Sequence, residues 1–416
     1  MQNDNAALAI DGGDLALGAG LLALVRPALD LLEPGGVLAV NSVNRSLRDD
    51  LPRWCQLQHH EYRERQWIDS GYDRHLIARG SLSLPRGKRE CNITLPQHDG
   101  QIFADDVLKA IPMPERADPT SGFAPRGAQV EPGGPRYPFS LLDREHVSPP
   151  EIAKLYDQAV AAQWNANTDI PWQKTPKLPD VIERALGQVF TFLAENELSA
   201  LYLPSKFISR IHPAYVETAM FLSSQMADEA RHIDVFLKRA RAGGGGLGVS
   251  SATTSQSLLS LLELEDFTEA AFLLSVLGEG TFLDLLTFIE EHAPDEVTAE
   301  VVRRARSDEA RHVHFGLVHV RHALAHDTTL YHRLEAAVRR RAVTLSNVSG
   351  APAPLQDGLT ILAAGSTDTK AIARGHEAFR ELLDTMHESR VKRLEHAGFT
   401  AEQARTLSDL HTPNFM

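Results

Sequence analysis

The string Asp-Glu-Ala-Arg-His occurs twice, at 228–232 and 308–312, and no other feature of the 416-residue chain restricts its fold as strongly. Each copy contains Glu-x-x-His, and the chain holds no further instance of that pattern. Residues three apart on a helix share a face, so the carboxylate and the imidazole of each copy can serve one metal centre together. A single Glu-x-x-His is ordinary on an exposed helix. A duplicated pentapeptide, each copy set in an apolar helical pattern, predicts two equivalent half-sites.

The surrounding pattern supplies partners. From Asp180, read as an N-cap, the stripe Ile182, Leu186, Phe190, Leu193, Glu197, Leu201 keeps helical spacing. Glu195 competes with Glu197 but falls beside the stripe, so phase selects Glu197. A second helix is expected over Pro213–Arg241 and a third over Glu265–His292. Glu279 lies on the third helix's stripe of Phe272, Val276, Leu283 and Leu286. Asp295–His322 makes the fourth. Lone carboxylates in apolar stripes are costly to bury, and metal ions remove that cost. Glu, Glu-x-x-His, Glu, Glu-x-x-His on four helices is the ligand set of a carboxylate-bridged di-iron or di-manganese bundle. Glu197 precedes Glu229 by 32 residues and Glu279 precedes Glu309 by 30. Both intervals suit a helix that runs on, turns and returns to the same height.

At this point the chain resembles the ferritin-like di-iron superfamily, in the branch holding ribonucleotide reductase small subunits, bacterial multicomponent monooxygenases and aminobenzoate-type N-oxygenases. Asn196-Glu197-Leu198-Ser199-Ala200-Leu201 and Gly278-Glu279-Gly280-Thr281-Phe282 stand where that branch places its lone glutamates. The likeness spans roughly residues 150–325. It implies a mainly α fold: a ferritin-like four-helix bundle with additional helices. It also implies that Glu229 and Glu309 bridge two metals, with Glu197, His232, Glu279 and His312 as terminal ligands. Asp228, Arg231, Asp308 and Arg311 would support them, an aspartate orienting a ligand histidine. The radical-generating subunits commonly place a Tyr about one turn after the first histidine. Here that position is Phe236, which disfavours a stored tyrosyl radical.

Carboxylate and imidazole ligands suit iron or manganese. The expected cofactor is two Fe ions, with Mn/Fe as the variant, and O2 is the co-substrate. The expected activity is oxygenase or oxidase chemistry on a small organic molecule, by hydroxylation or N-oxidation, with an external electron donor. Iron storage or a redox-inert binding role is one alternative, and oxidation of a carrier- or sulfur-linked substrate another. His314 and His319 are read as structural, since His319 lies two turns beyond His312, roughly 10 Å along the axis. His59-His60 is read as a helix end.

Residues 1–85 alternate strand and helix patterns: Ala6–Ile10, Leu21–Leu32, Val37–Val43, Ser46–His59, Glu61–Ile68 and Arg74–Leu84. That βαβαββ order predicts a small α/β two-layer sandwich. Through Leu31-Leu32-Glu33-Pro34-Gly35-Gly36-Val37-Leu38-Ala39-Val40 and Asp49-Asp50-Leu51-Pro52-Arg53-Trp54-Cys55 it resembles the TusA-like sulfur carriers. Their motif cysteine falls here near Gly18, so the reactive thiol is missing and a docking or assembly role is implied. Cys55 reads as a small apolar core residue.

Residues 86–177 carry nine prolines between Pro112 and Pro150 and read as an ordered linker, with a helix over Glu151–Asn165 and an anchor at Ile170-Pro171-Trp172. The third domain is 178–416. Within it, Gly243–Gly246 and Ser250–Ser257 read as a flexible crossover, with a short helix at Leu258–Leu264. Further helices are expected at Thr328–Leu345, Pro352–Ala364, Asp368–His396 and Thr400–Leu410.

Composition bounds the rest. A net charge of −13 argues against a general nucleic-acid or anionic-membrane surface. Two cysteines are too few for a disulfide framework or a structural zinc site. No targeting segment or bilayer-length stretch is expected, which points to a cytoplasmic protein, and a monomer or homodimer is expected.

Overall fold

The computed structural model describes residues 6–68, 71–81, 99–109, 111–128, 130, 134–345 and 350–411. Two compact units are present, Met1–His98 and Asp99–Met416. Cys91 and the end of the strand expected over Arg74–Leu84 lie outside the described residues.

In the first unit the order is β1 (Leu8–Asp11), α1 (Leu22–Asp30), β2 (Val37–Ser42), α2 (Leu47–Leu57), β3 (Glu61–Trp67) and β4 (Asp73–Ala78), the predicted βαβαββ. The sheet runs β1-β2-β4-β3, with β1 parallel to β2 and the other pairs antiparallel. Strand side chains alternate between faces, so Leu38, Val40 and Ile77 pack with Val25, Leu29, Leu51 and Cys55 of the two helices. Burial pushes the Cys55 thiol up to about 12, which makes it inert at neutral pH.

The second unit is helical. Before its long helices come α3 (Ala104–Lys109) and α4 (Ile152–Ala161), separated by proline-rich chain. The expected anchor is present, with Ile170 buried and the Trp172 indole donating to the Ala166 carbonyl at 2.8 Å. Then follow α5 (Asp180–Ile208), α6 (Val216–Ala242), α7 (Ala252–Leu262) and α8 (Phe267–Ala271). A π-helical segment, Phe272–Glu279, leads without a break into α9 (Gly280–Glu291). After it come α10 (Glu296–His326), α11 (Leu330–Thr344), α12 (Ala353–Ala364), α13 (Thr369–His396) and α14 (Ala401–Leu410). The four-helix core comprises α5, α6, the α8-to-α9 helix and α10. Helices α12 and α13 cover its outside, α12 against α5 and α13 against α9.

Five details differ from the sequence reading. Ser250–Ser257, expected to be part of a flexible crossover, is mostly helical, because α7 starts at Ala252 with the Ser251 hydroxyl capping it by accepting from the Thr254 amide at 3.0 Å. Asp180 is the first helical residue, and Pro179 holds the cap position without a side-chain bond. The glycine run is not a loose tether, because it is pressed onto α5. A Cβ on Gly187 would stand 2.2 Å from the Gly246 carbonyl oxygen, and one on Gly245 would stand 2.3 Å from that of Glu183. Only glycine permits that approach. The third core helix is interrupted by the π segment, whose eight residues are all buried. Finally, Phe267–Glu291 is long and apolar enough to cross a membrane, against the expectation that no stretch is; 83% of its apolar window is buried inside the protein.

One end of the bundle is tied by an ionic cluster. The fully buried Arg239 of α6 donates to Glu183 of α5 at 3.1 Å, and to Asp295 and Thr298 at the start of α10 at 2.8 and 2.7 Å. Asp295 also caps α10 by accepting from the Thr298 amide at 2.8 Å. Each guanidinium edge is thereby used, which is the condition for tolerating a buried charge.

Candidate metal centre

Helices α5, α6 and α10 and the π segment leading into α9 each bring a carboxylate to the middle of the bundle. The six predicted ligands converge there as two overlapping groups: Glu197, Glu229, His232 and Glu309, and Glu229, Glu279, Glu309 and His312. Within each group the ligand atoms all lie within 4.8 Å of one another. None of the six residues is more than 3% exposed.

The shared members can be read from distances. Glu229 reaches His232 Nδ1 with one oxygen at 3.2 Å and His312 Nδ1 with the other at 3.0 Å. Glu309 does the same at 3.2 and 3.4 Å. These two carboxylates therefore span both half-sites, while Glu197 lies on the His232 side and Glu279 on the His312 side.

The donors crowd one another with few aligned hydrogen bonds among them, that between His232 Nδ1 and Glu229 Oε2 at 3.2 Å being one. Glu197 Oε1, Glu229 Oε1, Glu279 Oε2, both Glu309 oxygens and His312 Nδ1 lack an aligned hydrogen-bond partner despite complete burial. Buried polar atoms are normally paired, and these point into a common space. Four carboxylates would match two divalent cations in charge, and a donor set of four carboxylates and two imidazoles suits iron or manganese. The residues present fit a two-metal centre.

Around this set lies a crossed support. His232 Nε2–H donates to Asp308 Oδ2 at 3.1 Å, and His312 Nε2–H donates to Asp228 Oδ2 at 3.2 Å. Each aspartate therefore orients the histidine of the other pentapeptide. An ionised carboxylate only accepts, so the proton sits on Nε2 and the Nδ1 lone pair is left for a metal. Arg231 pairs with Asp228 and reaches Asp308 at 3.0 Å; Arg311 pairs with Asp308 and reaches Asp228 at 3.2 Å. The two aspartates are neutralised by two arginines, independently of the inner set.

Protonation in the ion-free protein follows. Burial raises Glu197 and Glu279 well above the usual carboxylate range, with the neighbouring glutamates adding to it. Burial opposes charge on His232 and His312, yet the surrounding carboxylates outweigh it and raise both. Protons thus occupy the site when cations do not. Asp308 is held well below its ordinary value, burial being overcome by His232 and Arg311.

Sequence reasoning missed three supporting side chains. Gln225 Nε2 donates to Glu279 Oε1 at 2.8 Å, and its place one helical turn before Glu229 was an available signal. Gln163 donates to Asp228 at 3.0 Å, and the Trp164 indole donates to Asp308 at 2.7 Å. The Arg231 guanidinium also stacks over the Trp164 ring at 4.7 Å. These last two residues come from chain just past α4, which ends at Ala161, short of the helix expected over Glu151–Asn165, and they lie more than sixty positions from either pentapeptide, so local spacing carried no sign of this role. Phe236 is fully buried, its ring 6.1 Å from that of His232. His319 is buried but hydrogen-bonded to Thr268 at 3.1 Å, and His314 is exposed beside Glu151. Neither joins the ligand groups. His60 Nδ1 accepts from the Gly80 amide at 3.2 Å in the first unit.

No protein-family model matches the sequence, and no curated protein does. Solved structures with similarity include R2-like ligand-binding oxidases. One, with an aerobically reconstituted metal cofactor after photoconversion, is 15% identical, with a TM-score of 0.42, over 63% of this chain and 94% of its own. A point mutant with an aerobically reconstituted Mn/Fe cofactor is 17% identical at a TM-score of 0.45, over 59% and 93%. Another mutant, with an Fe/Fe cofactor, is 16% identical at 0.43, over 63% and 94%.

Proposed function

We propose that this protein is an O2-activating oxidoreductase built on a pair of iron ions, or one manganese and one iron, that acts on a small organic substrate by hydroxylation or N-oxidation. The observation that carries the reading is the bridging geometry: Glu229 and Glu309 each face both histidines, in a buried set in which five carboxylate oxygens have no aligned partner. Bound there, the two ions supply the redox chemistry of dioxygen activation.

The chain's own residues have distinct tasks. Asp228 and Asp308 fix ring orientation and tautomer of the two histidines. Gln225 holds one oxygen of Glu279, leaving the other free to turn inward. Phe190, Phe236 and Phe282 are each buried in the surrounding core and keep bulk water from the centre. A narrow seam of about 20 Å³ is lined by Phe207, Leu222, Phe267, Leu274 and Phe315 together with Ser275 and Gln225, the latter bonded to Glu279. Its lining favours an apolar substrate, and its width requires those side chains to move apart on entry.

Metal analysis of the purified protein tests the centre first, with two iron or manganese ions expected per chain. Glu279→Ala is expected to lose half or more of the metal. Anaerobic Fe(II) loading followed by air should then consume O2 in the wild type but not in the variant. Metal content unchanged by Glu279→Ala, or no iron-dependent O2 uptake with any reductant, sinks the proposal.

A further inference from the structure

Away from the metal centre, the C-terminal helices enclose a second polar interior. A cavity of about 290 Å³ is lined by Thr281 of α9, Leu383, Met386 and Arg390 of α13, Ser408 of α14 and His411 just beyond it, with His387 and Asp409 also on its wall. Arg390 and His411 are each only 6% exposed, yet Arg390 Nε and His411 Nε2 have no hydrogen-bond partner. The bonds Arg390 does make, to Ser408 Oγ and the Ser408 carbonyl, are long at 3.3 and 3.4 Å.

Two more arginines converge on the same histidine. Arg341 of α11, also 6% exposed, donates to Ser257 Oγ at 2.7 Å and leaves Nε and Nη1 unpartnered. Arg393 donates to Asp284 at 3.1 Å and leaves Nε and Nη2 unpartnered. Burial, followed by the charges of Arg390, Arg341 and Arg393, holds His411 well below its usual value, so it is a neutral ring. Burial alone brings Arg341 down to about 10, and burial is the largest influence bringing Arg390 to the same value. Both remain charged at neutral pH. Positive charge thus exceeds negative charge in this interior, where Asp284 is partly buried and Asp409 is largely exposed.

A buried guanidinium that leaves donors unused is destabilising unless an anion meets it. The planar fork of arginine matches carboxylate and phosphate oxygens, and Ser408, Thr281 and His411 add neutral polar groups to the wall. We infer that this cavity is a binding site for a small oxyanion, a carboxylate or a phosphate, held by Arg390 with His411 and Ser408. Leu383 and Met386 leave room for a short apolar tail. The site is distinct from the metal centre but backs onto the same helix. Arg393 packs over Gly280, where a Cβ would stand 2.7 Å from its Nε, and Gly280 directly follows Glu279.

The test is calorimetric titration of the full-length protein with inorganic phosphate and, separately, with butyrate, each against chloride at matched ionic strength. Saturable binding of either oxyanion, absent with chloride, is expected, and the responding arm tells phosphate from carboxylate. Arg390→Met should weaken that binding about ten-fold or more, the loss of a charge-assisted hydrogen bond. His411→Gln keeps a polar group of similar size; it should weaken binding less, and serves if Arg390→Met does not fold. Binding no stronger than chloride's in both arms, or unchanged binding in a folded Arg390→Met protein, overturns the proposal.

Discussion

The crossed aspartates make a prediction that an uncrossed arrangement would reverse. Asp228→Asn alters the first pentapeptide, but the histidine that depends on Asp228 is His312, of the second, at 3.2 Å. Asparagine keeps the shape and can still accept from Nε2–H, so the change removes charge rather than packing. Loss of a carboxylate behind a ligand histidine typically weakens metal binding by about 10- to 100-fold. That corresponds to roughly 1.4–2.7 kcal/mol. The loss should fall on the ion held by His312 and Glu279, leaving the ion at His232 and Glu197 near wild-type affinity. Asp308→Asn should do the opposite, through the 3.1 Å bond to His232. Anomalous diffraction from crystals soaked at limiting Mn(II) resolves the two occupancies, and a solution titration gives the affinities. Equal loss at both positions, or loss at the His232 side in Asp228→Asn, would refute the crossed assignment.

Two further outcomes follow from the geometry. Glu197, Glu279, His232 and His312 are all raised in the folded, ion-free protein. Their contribution to stability is full below the unfolded values, 4.5 for the glutamates and 6.5 for the histidines, and is lost as pH rises through the folded ones. Asp228, Asp308 and Glu229 are lowered, so above about pH 5 they are ionised in both states and add no slope. Above about pH 7 the buried, lowered histidines such as His319 and His411 are neutral in both states, so from about pH 7 to 8 the ion-free protein should melt at falling temperature, while Mn(II) affinity rises over the same range because binding expels protons. A thermal scan that is flat over that range without metal would contradict this protonation scheme. Gly280→Ala places a methyl 2.7 Å from Arg393 Nε and should cost about 1–3 kcal/mol in urea unfolding. An unchanged midpoint would mean Arg393 is not held against that helix.

Much of the helical unit could be read from periodicity, because an amphipathic helix writes its buried face into residue spacing. The α5 stripe from Ile182 to Glu197 is buried as spaced, and Glu197 rather than Glu195 joins the metal-facing groups. That criterion weakens in the third core helix. Every residue from Phe272 to Glu279 is buried there and the backbone is π-helical, so an apolar stripe no longer distinguishes one face from another. Glu279 was identifiable because it is the only carboxylate in that stretch. The glycine run misled for a related reason. Its composition fits a flexible tether, but the same lack of side chains lets it lie against the α5 backbone.

Within this molecule, residue spacing indicated most of the helices, the βαβαββ order and the six candidate ligands, since each depends on contacts within one element or on a repeated string. Tertiary packing decided which aspartate serves which histidine. It also brought Gln163 and Trp164 to the pentapeptides and placed Arg341, Arg390, Arg393 and His411 around one interior. Those relations join residues tens to more than a hundred positions apart, and local periodicity carries no information about which distant side chains will share one buried, low-dielectric space.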